Sequence, residues 1–307
     1  MILIDKSYMM NLNHLAIFHA VTQTRSVSGA AERLLISQPA ISKQLGQLEK
    51  SLGIRLFDRL PRGVRPTEAG ELLSNYASRL FALADEGERA IAELRGLQRG
   101  RLRVGAGTTV GVYLLPDLFV RFRAAHPGIH LELEIAPSDV LARRLLEGSI
   151  DIAVTEGTID HESLQSTPIL SDRLIAIAPC HHPLSRKRRL TTAMLCREPF
   201  IVRETGSGTQ SLVERELSRR GLAVKAAMSF SNTEAIKRAV ISGVGVAIVS
   251  SLSVGLEIQA KKLAILPIAD LEISRPIYRV THKGAYASKS ALAFIAMLDA
   301  LEGPHRE

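Results

Sequence analysis

The chain of 307 residues contains no tryptophan, and aromatic residues make up only 4% of it. A membrane-surface role would call for a basic amphipathic helix carrying bulky aromatics, and none is present. Cysteine is nearly absent: Cys180 and Cys196 are the two, too few for a disulfide-stapled scaffold. Met1-Ile2-Leu3-Ile4 is too short for a signal-peptide core and Asp5 interrupts it, so both thiols are expected to be reduced in a cytoplasmic protein. Long hydrophobic runs are missing too. The stretch 239–256 has no charge, but Gly243, Gly245, Gly255 and four serines break it into helix, turn, buried strand and helix rather than a membrane span. Nucleophile-elbow, Walker and dinucleotide motifs are lacking, and no enzyme is expected. Cys180-His181-His182 lacks a distant partner cluster, and neighbours in extended chain point to opposite faces, so no metal is expected. Arg186-Lys187-Arg188-Arg189 reads as a solvated loop. There is no internal repeat or low-complexity segment.

What the chain does hold is ordinary in bulk and informative in detail. Apolar residues are 46% and charged residues 23%, as in a folded chain of two or three domains. The net charge is +8, and between Ser37 and Arg65 six Lys/Arg face two acids, Glu49 and Asp58. That local excess is the footprint of a phosphate-binding surface. Ser28 is expected to cap a short helix carrying Ala30, Ala31, Leu34 and Leu35. Ser37 caps a second, with Pro39 in its first turn and Ile41, Leu45, Leu48 and Leu52 as its apolar stripe. Off the stripe lie Gln38, Ser42, Lys43 and Gln47, suited to base edges and phosphates. Two such helices make a helix-turn-helix whose second member reads the major groove. Arg55, Arg59, Arg62 and Arg65 follow on a β-turn wing. Ser37, Gln38, Pro39, Ser42, Lys43, Gln47 and these four arginines are the expected DNA-binding set. The blander alternative is a helical hairpin inside an ordinary domain, its arginines a solvated face.

The segments A-A-E-R-L at 30–34, S-Q-P-A-I-S at 37–42, L-E-K-S-L-G at 48–53, L-F-D-R at 56–59 and T-E-A-G at 67–70 together resemble the DNA-binding region of LysR-type transcriptional regulators. The resemblance implies a winged helix-turn-helix domain over 10–66, a dimerising linker helix over 67–98 and an effector-binding domain over 101–307. It makes residues 1–9 an extension, with Met9 or Met10 an alternative start. The residues agree. Leu12, Leu15, Ile17, Phe18 and Val21 mark a helix packing behind the DNA-facing pair, and Thr67 caps another with Glu68 and Glu71 in its first turn. Ala69, Leu73, Tyr76, Leu80, Leu83, Ile91, Leu94 and Leu97 recur at 3-4 spacing over ~46 Å, while Glu86, Glu88 and Arg89 keep the other face wet. So long a stripe suits self-association. The expected partners are double-stranded promoter DNA, further copies of the chain as a homodimer or tetramer, and RNA polymerase.

From Leu102 onward strand-like runs alternate with helical ones at 112–125, 139–147, 208–220 and 233–242. The fold class is therefore α/β, with mostly parallel sheets, behind an N-terminal all-α winged helix-turn-helix domain. The resemblance adds a periplasmic-binding-protein-like pair of subdomains, I over about 101–177 and 279–307 and II over about 178–278. The chain would cross between them at 174–179 and return at 276–281. Strand-to-helix junctions at 105–111, 203–210 and 231–237 carry hydroxyls and glycines, where open sheets bind ligands and helix N-termini favour anions. Thr108, Thr109, Thr155, Arg203, Gly206, Ser207, Gly208, Thr209, Asn232 and Thr233 are the expected effector-binding set. Each taken alone is equally a plain helix cap. Regulators of sulfur assimilation and carbon fixation in the resembled family carry similar E-x-G-S-G-T and S-N-x-E-A-I-K segments. Many have Arg after G-S-G-T where this chain has Gln210, which weakens the case for a multiply charged ligand. The expected effector is a small anionic metabolite, with no cofactor. The alternatives are an architectural DNA binder without effector, a redox sensor using Cys180 or Cys196, and an enzyme or transport-type binding protein that regulates itself.

Overall fold

The computed structural model describes residues 10–94, 100–187 and 189–302. The alternative start at Met9, the expected helix end at 97–99 and Arg188 lie outside them. The chain forms two compact units, Met1–Gly96 with Leu146–Ser149, and Leu97–Leu145 with Ile150–Glu307.

In the first unit, α1 (Leu12–Thr24) packs on α2 (Val27–Leu34) and α3 (Gln38–Leu52). The cap of α2 is Ser26, whose hydroxyl accepts from the Gly29 N–H at 3.1 Å; the expected cap, Ser28, lies inside the helix. The register moves because Ser26 has extended backbone and Val27 already helical backbone. Ser37 does cap α3, with Pro39 in the first turn. Ile41, Leu45 and Leu48 join Leu15, Ile17, Phe18, Val21, Ala30 and Ala31 in the core. Leu12, Leu34, Leu35 and Leu52 remain exposed at the ends of their helices or just beyond them. The wing is β1 (Phe57–Arg59) antiparallel to β2 (Val64–Pro66), so this unit is not wholly helical. Glu49 accepts the Leu56 N–H at 2.7 Å and fixes the wing's entry. Gly70 lets the next helix lie against the wing: a Cβ there would be 2.1 Å from the Leu56 carbonyl oxygen.

That helix, α4 (Glu68–Leu94), is capped by Thr67, whose hydroxyl accepts from the Gly70 N–H. Its apolar residues divide between two faces instead of forming one stripe. Ala69, Leu73, Ala77 and Phe81 pack inward, whereas Leu72, Tyr76, Leu80, Leu83 and Ile91 are exposed. The inward set serves α1, which the 3-4 spacing alone could not reveal.

The second unit runs β3 (Gly100–Ala106), α5 (Thr108–Tyr113), α6 (Leu115–Ala125), β4 (Ile129–Ile135), α7 (Ser138–Leu146), β5 (Ile152–Thr155) and β6 (Leu164–Pro179). It continues through α8 (Thr192–Leu195), β7 (Phe200–Arg203), α9 (Gly208–Ser218), β8 (Ala226–Phe230), α10 (Thr233–Ile241), β9 (Ala247–Ser250) and α11 (Gly255–Gln259). It ends with β10 (Leu263–Leu266), β11 (Ile273–His282) and α12 (Lys289–Asp299). The expected helix at 112–125 is two, because Pro116 starts α6 afresh. The main sheet has the order β10-β6-β11-β5-β3-β4, with β9 also on β6. Among the described strand pairs of this unit, β3/β4, β3/β5 and β7/β8 are parallel, while β6, β9, β10 and β11 pair antiparallel. The expectation of mostly parallel sheets fails here because the chain leaves on β6 and returns on β11 in the opposite sense. The crossing also comes earlier than expected. Ile169 and Ile277 belong to a core with β3, β5, α6 and α12, whereas Leu174 and Ile273 belong to a core with β7, β9 and α9. The chain therefore passes between cores near 170–173 and 274–276. None of the described helices is long and apolar enough to cross a membrane.

Candidate functional site

One candidate interface lies in the first unit. Ser37, Gln38, Pro39, Ser42, Lys43 and Gln47 are all exposed along one side of α3, opposite the buried Ile41, Leu45 and Leu48. The Ser28 hydroxyl donates to Gln38 Oε1 at 3.4 Å, linking α2 to the start of α3. Arg55, Arg59, Arg62 and Arg65 are exposed around the wing. Of the two acids in this stretch, Glu49 is spent on backbone amides. Asp58 meets Arg65 at 3.5 Å in an exposed pair that contributes little. The face is therefore basic, polar and free to meet phosphates and base edges.

The second candidate lies where β6 and β11 cross between the two cores of the other unit. Asp172 stands directly opposite Arg275 in the strand register. Arg275 Nε and Nη2 each lie 3.0 Å from Asp172 Oδ2. Nη1 donates to the Thr209 hydroxyl at 2.9 Å and Nη2 to the Thr109 hydroxyl at 3.3 Å. The Ser250 hydroxyl donates to Asp172 Oδ1 at 2.6 Å. Asp172 is 1% exposed and Arg275 8%. Burial pushes the Asp172 carboxyl up, against the pull of Ser250 and Arg275.

Thr109 and Thr209 belong to the expected effector-binding set, whereas Asp172 and Arg275, which join them here, do not. The period-2 alternation Ile273, Arg275, Ile277 puts Arg275 on the inward face of its strand, as Asp172, Leu174 and Ala176 do on β6. That was the available signal.

Other expected residues do different work. The Thr155 hydroxyl donates to the Gly157 carbonyl at 2.7 Å, a local turn. Asn232 is a plain cap, accepting the Glu234 N–H at 2.7 Å. Arg203 is held by the Glu204 carboxylate through two 2.8 Å contacts, with Thr233 at 3.5 Å. Gln210 turns back to the Arg203 N–H at 3.1 Å and to Glu214 at 2.8 Å. Ser207 is buried at the start of α9 without a side-chain capping bond. Thr108, Gly206 and Gly208 are exposed.

At the first junction one amide of the helix start is already occupied. Glu156 Oε1 accepts the Val110 N–H at 3.0 Å, and its carboxylate lies where a side chain on Gly107 would be, 1.7 Å from an added Cβ. Nearby, the Tyr113 hydroxyl donates to Glu234 at 2.7 Å, and Lys237 pairs with Glu234 and Glu257 at 2.7 and 2.8 Å. Burial raises the Tyr113 hydroxyl, helped by the Glu234 bond. Burial would raise Glu234 as well, but Lys237 and Tyr113 hold it below the ordinary value.

Two surface cavities lie apart from these residues. One of about 630 Å³ lies beside α6 and β4, lined by Phe119, Val120 and Leu131 among others. Another of about 440 Å³ lies beside β6 and β10, lined by Ile175, Ile248 and Ile265 among others. The first also takes in Arg123 and His130 and the second Arg173 and Glu272, but neither joins buried polar groups from both cores as the hydroxyl-arginine cluster does. Cys180 and Cys196 are free, half-buried thiols. Burial, then Asp270, pushes Cys196 up, opposite to an activated thiol.

Residues 12–71 match the family model described as "Bacterial regulatory helix-turn-helix protein, lysR family". Residues 95–302 match "LysR substrate binding domain". The RuBisCO operon transcriptional regulator of Allochromatium vinosum is 35% identical, over 93% of this chain and 94% of its own. A full-length OxyR variant from Pseudomonas aeruginosa superposes with a TM-score of 0.75 at 23% identity, covering 96% of this chain and 95% of that one. The Synechocystis PCC6803 CcmR regulatory domain in complex with 2-PG gives a TM-score of 0.61 at 29% identity, over 67% of this chain and 99% of that one.

Proposed function

Because the chain belongs to the LysR family of DNA-binding transcriptional regulators, we propose that its C-terminal unit senses a small anionic metabolite at the crossing of β6 and β11. Members of the family are regulators and not enzymes, and the chain resembles the carbon-fixation branch. The observation that carries the reading is the convergence of Thr109, Thr209 and Arg275 between two cores. The CcmR regulatory domain with 2-PG supports a ligand of this class.

The exposure of α3, the wing and one face of α4 supports a division of roles. Gln38, Ser42, Lys43 and Gln47 read base edges, and the wing arginines bind phosphates. The exposed Leu72, Tyr76, Leu80, Leu83 and Ile91 of α4 carry self-association. Domain limits of 10–66, 67–98 and 101–307 fit this division, with subdomains meeting near 170–173 and 274–276. The protein works in the cytoplasm on promoter DNA, with RNA polymerase a further partner.

Footprinting on promoter DNA tests the effector role, using 2-PG, sulfate, sulfite, O-acetylserine and phosphorylated sugars in turn. Thr109→Val and Thr209→Val should keep DNA binding and lose the ligand-dependent change in footprint, each lost bond weakening the ligand by ~1.5–3 kcal/mol. A ligand response unchanged in both variants would remove these hydroxyls from the site.

A further inference from the structure

A guanidinium that donates to a hydroxyl oxygen decides what that hydroxyl can do next. A hydroxyl has one O–H and two lone pairs. Arg275 takes a lone pair of Thr209 at 2.9 Å and one of Thr109 at 3.3 Å. Among the described hydrogen bonds neither hydroxyl donates to a protein acceptor, so each keeps its O–H for a group outside the chain. The nearby cation also polarises both, making them stronger donors.

The two threonines come from opposite sides of the crossing. Thr109 opens α5 beside the first core and Thr209 lies in the first turn of α9 beside the second. Arg275 cannot swing away to solvent, because it is buried and opposed by Asp172 across the strand pair.

We propose that Arg275 is the specificity-determining residue at this crossing: it fixes Thr109 and Thr209 as paired O–H donors, so that the site selects an acceptor-only oxyanion over a neutral ligand. This rests on the effector reading above and adds the source of its charge preference. The acids facing the group are Asp172 on β6 and Glu156, which holds the first turn of α5. Asp172 is the partner that offsets Arg275, so its charge sets how much of the cation a ligand feels. Asp172→Asn keeps one acceptor oxygen, which can face Arg275 while its NH2 donates to the Ser250 hydroxyl, and removes that offset.

Calorimetry on the full chain tests the assignment, with 2-PG, phosphate and sulfate as anionic probes and glycerol as the neutral one. Arg275→Gln should weaken the anions by about tenfold or more and narrow the preference over glycerol. Asp172→Asn should tighten the anions, an outcome that a merely structural role for the pair does not produce. Should Arg275→Gln fail to fold, the paired variant Arg275→Met with Asp172→Leu, checked by circular dichroism, should fold and lose the anion preference. Anion binding unchanged in Arg275→Gln or the paired variant, while Thr109→Val and Thr209→Val lose it, would overturn the role of Arg275 alone. If neither the wild-type chain nor Asp172→Asn binds any of the anions, the anionic-effector reading falls and this assignment with it.

Discussion

Asp172 and Arg275 form a buried pair whose members are costly apart and dispensable together. Removing one leaves the other charge buried without a partner, so Arg275→Met or Asp172→Leu alone should destabilise by ~3–5 kcal/mol. The combined variant should recover most of that loss in urea unfolding, since two apolar side chains suit the flanking Ile273, Ile277 and Leu174. Singles that add without recovery would show the pair to be uncoupled. His19 supplies a separate test in the first unit. Burial, then Arg33, pushes its imidazole below the ordinary 6.5. The unfolded chain therefore takes up this proton at higher pH than the folded one. The associated stability is complete above the unfolded value and is lost as pH falls through the folded one. His19→Gln should flatten the decline in unfolding free energy as pH falls below the ordinary 6.5; a decline of unchanged slope would assign it to other groups.

At the scale of elements, the proposed division of DNA binding between α3 and the wing is separable by mutation. Gln38→Ala should cost ~1–3 kcal/mol on the specific site and relax sequence preference. Arg62→Ala should weaken specific and random DNA alike and lower the salt slope by about one. Equal losses on both DNAs for Gln38→Ala would place base reading elsewhere on the helix. These elements were legible because their determinants are local: Ser37 caps its own helix, Pro39 sits two residues on, and the wing arginines follow within one turn. The start of α4, capped by Thr67, and the strand-helix junctions were legible for the same reason. The pairing of Asp172 with Arg275 was not, because 103 residues separate them and only strand order makes them neighbours. Glu156 escaped notice likewise, since its acceptor role depends on Val110, 46 residues earlier. Ser26 and Ser28 differ by two positions, a distance at which capping propensity does not discriminate.

Over the whole molecule, the proposed self-association rests on Leu80 and Leu83 of α4, the latter 67% exposed. Leu80→Glu with Leu83→Glu should move the protein to smaller species in sedimentation; unchanged mass would place association elsewhere. The sheet order has a consequence for how the chain is made. β11 lies between β6 and β5, at the middle of the main sheet, yet it follows every other strand in the sequence. During synthesis β5 and β6 emerge early and wait, their inner edges open, while about a hundred residues are added. The part bounded by β7 and β10 can pack meanwhile, but the sheet closes only when Ile273–His282 and then α12 leave the ribosome. Unpaired edges of this kind recruit other chains. A nascent copy is therefore most vulnerable to aggregation just before completion, and the Arg275 cluster is assembled last of all.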